Sequence, residues 1–167
     1  MDSNAKKTAL RMIPYGLYVL TAGSEDGRVA AATVNWVTQA SFEPPLVVVG
    51  VKADSETHAL IKDTGSFALN VLGKEQQSLA FAFFKPAQVE GNTISGEPFR
   101  TGKSGAPLLE NTPAFVECNL VGSVEKGDHS VFVGEVVEAG VAVQPPGRPD
   151  LATLHLSDLG EKTFYGG

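Results

Sequence analysis

Short apolar runs, separated by turn-forming residues, recur along the chain. They are rich in Val, Ala, Leu and Phe and lie at residues 16–22, 29–37, 46–51, 67–72, 114–124 and 130–143. Clusters of Gly, Pro, Asp and Asn between such runs are typical of short strands joined by turns. The first two runs flank a turn-like segment at 23–27, which predicts an antiparallel hairpin. The run at 46–51 follows two prolines and predicts a central strand that is buried on both faces.

Three other segments depart from the strand pattern. Residues 55–63 begin with hydroxyl side chains and end before Gly65, which predicts a short capped helix. Residues 75–84 have apolar positions at helical spacing and stop before a proline, which predicts a second helix. Residues 88–107 are rich in Gly, Ser and Thr, which predicts a long loop acting as a flap. The whole pattern indicates a mainly β fold.

Length and composition narrow the class of protein. The chain has 167 residues, 43% of them hydrophobic and 19% charged, which predicts one folded domain spanning residues 1–167. Thirteen basic against nineteen acidic residues give a net charge of −6 without a basic run, which argues against nucleic acid or membrane partners. The polar first ten residues do not resemble a signal peptide, so we expect a cytoplasmic protein.

Few residues offer chemistry of their own. Cys118 is the only cysteine, so the chain cannot form an internal disulfide. The three histidines, His58, His129 and His155, are widely spaced, so we predict no metal site. The chain also lacks a Gly-x-Ser-x-Gly elbow, a Walker loop and a Gly-x-Gly-x-x-Gly turn. Redox chemistry would therefore depend on a bound cofactor.

The segment at residues 31–41 mixes small residues with hydrogen-bonding side chains on a predicted strand. Small residues let a planar ligand approach the backbone, and amide groups match the donors and acceptors of a flavin pyrimidine edge. The side chains of Thr33, Asn35 and Thr38 would add hydrogen bonds. An edge strand with a polar outer face and Trp36 in the core explains the same pattern. On physical grounds alone, this structural explanation is favoured over a flavin site.

Several motifs together resemble the flavin reductase family. They are TVNWVT at 33–38, SFEPPL at 41–46, SETHALI at 55–61, GSFALNVL at 65–72, GDH at 127–129 and GEV at 134–136. Their order and spacing match the family over nearly the whole chain. The resemblance implies a split β-barrel with Greek-key-like connections and short flanking helices, which binds FMN, or sometimes FAD, at the interface of a homodimer and uses NAD(P)H.

The resemblance also implies site residues. The isoalloxazine and ribityl chain would be lined by Thr33, Val34, Asn35, Trp36 and Thr38. The FMN phosphate would be held by Ser55, Thr57 and Lys52, with Lys85 closing over the phosphate or ribityl chain. A helix N-terminus attracts anions, although hydroxyl residues there more often serve only as helix caps. His129 would act at the flavin face that receives the nicotinamide.

The implied function is transfer of a hydride from NAD(P)H to flavin, which needs no protein nucleophile. Reduced flavin or electrons would pass to a downstream acceptor such as a redox protein or a monooxygenase. One alternative is a bound-FMN electron carrier that a partner protein reduces. A less favoured one is a haem-binding or other planar-ligand module with His58 or His129 as the axial ligand. Aromatic residues in the tail at 164–167 would cover the flavin or the partner subunit.

Overall fold

A computed structural model describes residues 1–167 of the protein. Its three α-helices are α1 (Ser3–Arg11), α2 (Glu56–Thr64) and α3 (Gln77–Ala82). Two short 3-10 helices, Pro149–Leu151 and Leu156–Leu159, follow the last strand. No helix has both the length and the apolar character needed to cross a membrane.

Strands dominate the structure and form two sheets. In chain order they are β1 (Tyr18–Gly23), β2 (Val29–Val34), β3 (Val37–Ser41), β4 (Leu46–Lys52), β5 (Ser66–Val71), β6 (Val89–Glu90), β7 (Thr93–Ile94), β8 (Glu97–Thr101), β9 (Pro107–Leu109), β10 (Ala114–Val124) and β11 (His129–Val141). The large sheet has the order β2-β1-β5-β10-β11-β4-β3, and the small one runs from β6 to β9. All pairings are antiparallel, and the large sheet is not closed, as in a split barrel.

The first hairpin forms as predicted, but its second strand ends at Val34, so the prediction of one strand over 29–37 is wrong beyond that residue. β2 pairs with β1 from Val29 to Val34, and β3 begins at Val37 on the opposite edge of the sheet. The chain crosses between the two edges at Asn35 and Trp36. This crossing contains neither Gly nor Pro, so the sequence pattern carried no turn signal there. The backbone N–H of Gly50 in β4 donates to the carbonyl of Trp36 at 2.8 Å.

The main core lies between the large sheet and α2. Its fully buried members include Leu20, Val49, Ile61, Phe67 and Phe132. Burying one such side chain contributes roughly 1.5–3 kcal/mol, so this packing fixes α2 on the sheet. The predicted helix at 55–63 is confirmed: Ser55 caps its start, and Gly65 ends it with φ 69°. The second predicted helix is shorter than residues 75–84, since only Gln77–Ala82 are helical.

Strand β4 differs from the prediction for residues 46–51. Val49 and Val51 are buried on one face of the strand, but Val47 and Val48 are only half-buried, so the strand is not fully covered on both faces. The strand lies between β11 and the edge strand β3 rather than at the centre of the sheet. An almost unbroken run of valines does not distinguish these arrangements.

The predicted flap at 88–107 is also wrong, because these residues form the small sheet with β9. Ile94 and Leu108 are fully buried within it. Two buried hydrogen bonds join this sheet to the large one: Thr21 Oγ1 donates to the carbonyl of Pro107 at 2.5 Å, and the N–H of Leu109 donates to Asn70 Oδ1 at 2.8 Å. Strands of two to five residues are too short to produce a visible alternation.

Candidate flavin and nicotinamide site

A cavity of about 440 Å³ opens beside β2 and β4. Its walls come from these strands, the start of α2, the end of α3, His129 and the C-terminal tail, and nine of the sixteen lining residues are hydrophobic. His129 lies directly opposite Lys52 in the β11–β4 pairing, so the two side chains share one face of the sheet. An apolar cavity with a few polar groups is typical of a cofactor site.

The crossing from β2 to β3 supplies the first polar groups. Asn35 is only 5% exposed and lines the cavity, and its Nδ2 donates to the carbonyl of Tyr165 at 3.0 Å. Thr33 lines the cavity as well, but its hydroxyl donates to the carbonyl of Ala80 at 2.7 Å. Thr33 therefore attaches α3 to β2, whereas the buried amide of Asn35 faces the tail.

Trp36 packs on Gly50, where a Cβ atom would meet Trp36 Cε3 at 3.0 Å. The glycine thus provides the room that the indole occupies. The ring centroid of Trp36 lies 4.6 Å from that of His129 and 5.5 Å from that of Tyr165. Its Nε1 is the one buried side-chain nitrogen or oxygen without a hydrogen-bond partner. A buried donor without an acceptor is unusual in a protein, and the tail at Gly166 lies close to this nitrogen.

His129 is held at both ring nitrogens. Nδ1 lies 3.0 Å from Asp128 Oδ1, and Nε2 lies 2.8 Å from Tyr165 Oη. The hydrogen bond to His129 lowers the pKa of Asp128, and burial raises the pKa of Tyr165, so the first is a carboxylate and the second a neutral phenol. A carboxylate can only accept, so when the imidazole is neutral it carries its proton on Nδ1 and accepts the Tyr165 hydrogen at Nε2.

The start of α2 forms a further part of the wall. Ser55 Oγ accepts from the N–H of His58 at 3.1 Å and donates to the carbonyl of Lys52 at 2.7 Å. Its hydrogen is therefore committed to the backbone. The free donors are the first N–H groups of the helix, together with Lys52. Lys52 Nζ lies 3.0 Å from Asp54, and this hydrogen bond raises the pKa of Lys52.

The comparison with known families identifies the class of protein to which this cavity belongs. A family model described as Flavin reductase like domain matches residues 10–155. The chain belongs to the flavin reductase-like family. The resemblance inferred from sequence motifs is thereby confirmed, as is the mainly β split-barrel fold. Most of α1 and the tail after residue 155 lie outside the matched range.

Individual flavin reductases and related proteins match over most of the chain. The NADH-dependent flavin reductase StyB of Pseudomonas fluorescens is 33% identical over 84% of this chain and 79% of its own. The reductase component of a 4-nitrophenol monooxygenase from Rhodococcus opacus is 34% identical over 78% of this chain and 68% of its own. A probable flavin reductase of Rhizobium meliloti is 29% identical over 81% of this chain, but the match spans 42% of that protein.

A solved structure agrees with these matches. The NADH:FAD oxidoreductase SgcE6 of Streptomyces globisporus, in complex with NAD and FAD fragments, superimposes with a TM-score of 0.66. It is 31% identical, and the match covers 77% of this chain and 76% of that one. The fold and the family are therefore shared, and the solved relative is in complex with NAD and FAD fragments.

The cavity brings together six of the residues expected to form the flavin reductase site: Thr33, Val34, Asn35, Lys52, Ser55 and His129. Trp36 lies against this group without lining the cavity. Three others lie elsewhere: Thr38 is exposed on β3, Thr57 is buried at 3% exposure within α2, and Lys85 is exposed after α3. The hydroxyl of Thr38 donates to the carbonyl of Gln39 at 3.1 Å.

Other lining residues were not singled out in the sequence. They are Leu17, Ala32, Gly50, Val51, Phe83, Leu156 and Thr163. Most are apolar, and apolar residues carry no chemical motif that separates a cavity wall from a core. Tyr165 was expected only as a cover, yet it contacts Asn35, Trp36 and His129.

The residues present fit a flavin. The apolar walls suit a planar ring, and the start of α2 suits an anion. Haem is a poorer match. His58 is buried with its Nε2 2.8 Å from Ser130 Oγ and does not line the cavity, and both nitrogens of His129 have partners, so neither imidazole presents a free nitrogen to the cavity.

Proposed function

We propose that this protein transfers a hydride from NAD(P)H to FMN bound in the cavity described above. The reductase activity is that of the family, and FMN as the preferred flavin is our proposal. One observation carries it: a buried amide, a doubly held histidine and a helix N-terminus meet at one apolar cavity. When bound, the flavin supplies the hydride acceptor.

Each part of the wall has a separate task. The first N–H groups of α2 and the ammonium of Lys52 bind the phosphate, while Ser55 keeps the helix start in place. Asn35 bonds the polar edge of the ring, while Trp36 packs against His129. Phe83 and Phe84 exclude water from the apolar side. His129 orients the nicotinamide, so that the protein catalyses mainly by bringing two rings together.

A homodimer is part of the proposal. Five valines on β10 and β11 have exposed side chains, at 39–54% of full exposure: Val121, Val124, Val131, Val137 and Val141. Exposed apolar side chains on two long paired strands suit an interface with a second copy of the chain. We expect residues 1–167 to act as one domain in each subunit.

The reduced flavin, or its electrons, would pass to a monooxygenase or a redox protein. The related Rhodococcus opacus protein is named as the reductase component of such a monooxygenase, which supports this choice. We also expect the protein to work in the cytoplasm, where reduced nicotinamides are produced. An electron carrier would instead retain FMN and accept electrons from another protein.

Visible absorption of the purified protein with FMN tests these points. Under anaerobic conditions, NADH or NADPH should bleach the flavin absorbance within seconds, and light scattering of the same sample should give twice the chain mass. Titration with FMN, FAD and riboflavin should show the tightest binding for FMN. Flavin that binds but stays oxidised would favour the carrier, and failure to bind any flavin would overturn the proposal.

A further inference from the structure

Helix α1 holds the C-terminal tail in place through Arg11. The guanidinium carbon of Arg11 lies 4.2 Å from the centre of the Phe164 ring, and its Nε donates to the carbonyl of Gly166 at 3.2 Å. A cation over an aromatic face and a charge-assisted hydrogen bond are both attractive. Arg11 thus contacts the residues on both sides of Tyr165, although it lies far from them in the sequence.

Tyr165 faces the site from between these two contacts. Its carbonyl accepts from Asn35 Nδ2 at 3.0 Å, and its hydroxyl bonds His129 Nε2 at 2.8 Å. Its ring packs on Trp36 at 5.5 Å between centroids. One tail residue therefore contacts the buried amide, the indole and the imidazole of the proposed site.

Apart from these contacts of Arg11 and Tyr165, the tail has little to order it. Phe164 and Tyr165 are 53% and 48% exposed, so neither buries much apolar surface. Gly166 and Gly167 have φ values of 135° and 90°, and glycine loses the most conformational freedom when it is fixed. A segment of this kind stays in one place only if specific contacts offset the lost entropy.

We propose that Arg11 is a positioning residue of the reductase. By holding Phe164 and Gly166, it keeps Tyr165 against His129 and Asn35 and thereby shapes the place where the nicotinamide binds. His129 is then oriented from both sides, by Asp128 at Nδ1 and by the tail at Nε2. The kinetic part of this inference rests on the proposed function, whereas the structural part does not.

The structural part is tested without flavin or nicotinamide. Trp36 is the only tryptophan, so its emission in flavin-free protein reports the position of Tyr165. R11M removes both contacts, and we expect acrylamide to quench Trp36 at least about twofold more strongly because the ring of Tyr165 no longer covers the indole. K6M is the matched control, because Lys6 is exposed on the same helix and makes no side-chain hydrogen bond or ion pair.

The kinetic part compares the same variants with bound FMN. We expect R11M to raise KM for the nicotinamide about three- to tenfold, the loss typical of one or two such contacts, with kcat and FMN affinity within twofold. R11K should recover part of the loss, because an ammonium can lie over Phe164 but lacks the planar donor of arginine. K6M should resemble the unmodified protein, which excludes an effect of net charge on an anionic substrate.

Three results would overturn the inference. They are equal Trp36 quenching in R11M and K6M, an equal KM in the two variants, or a lower KM in R11M, which would mean that the tail obstructs the nicotinamide. Loss of NAD(P)H oxidation in every form, the unmodified protein included, would instead overturn the proposed function and with it the kinetic role. Trp36 quenching would still decide whether Arg11 anchors the tail.

Discussion

Two parts of the cavity wall are built in different ways. The start of α2 is assembled from neighbours in sequence: Ser55 bonds both the carbonyl of Lys52 and the N–H of His58, each three residues away. The aromatic cluster, defined as Trp36, His129 and Tyr165, joins three distant segments. The local part depends on a capped helix, whereas the aromatic cluster exists only when the whole sheet and the tail are in place.

The largest expected loss of FMN affinity comes from a substitution of Ser55. It separates helix capping from phosphate binding at the start of α2. Asp at position 55 can still accept from the N–H of His58, but it places a negative charge where we expect the phosphate. Two like charges about 4–6 Å apart repel by roughly 3–4 kcal/mol at an effective dielectric constant near 20. Ser55→Asp should therefore weaken FMN binding about 100-fold and riboflavin binding hardly at all, as measured by quenching of flavin fluorescence.

Ser55→Asn is the control for that substitution, because Asn caps helices well and has the shape of Asp without its charge. It should bind FMN nearly as tightly as the unmodified protein. Equal losses for FMN and riboflavin in the Asp variant would mean that the helix start supports the cavity but does not meet the phosphate.

The same contrast explains what could be predicted from the sequence. The helix at 55–63 was predicted because its signals, Ser55 and Gly65, are local. The crossing at Asn35 and Trp36 was missed, since its two strands lie at opposite edges of a sheet that no local pattern describes. The motifs indicated the family, but they did not show that Tyr165 contacts His129, because that contact spans 36 residues.

A smaller loss of FMN affinity is expected from a substitution at the crossing between β2 and β3. Asn35→Ala removes a buried amide that bonds the tail and faces the cavity, and loss of one such bond typically costs about 1–2 kcal/mol. FMN affinity should fall about tenfold. Thr38→Ala is the control, because Thr38 belongs to the same motif but lies outside the cavity, and its affinity should stay within twofold. Similar losses in both variants would contradict the placement of the site.

The smallest effect concerns how His129 is held within the aromatic cluster. The pKa of Asp128 is lowered, chiefly by its hydrogen bond with His129, so the carboxylate contributes its stabilising contact above the ordinary aspartate pKa and loses it only as the pH falls through the lowered value. Between pH 5 and 8 the Asp128 carboxylate should therefore stay ionised. Asp128→Asn replaces the carboxylate with a neutral amide and should raise KM for the nicotinamide about two- to threefold.

Because Asp128 is ionised across that whole interval, its own protonation should not change the ratio of the Asn variant's KM to that of the unmodified protein between pH 8 and pH 5.5. Steady-state kinetics at both values would measure this ratio. A ratio near one at both pH values would show that the Asp128 carboxylate does not support His129. In that case Tyr165, rather than the adjacent carboxylate, would be the main support of the imidazole in the working enzyme.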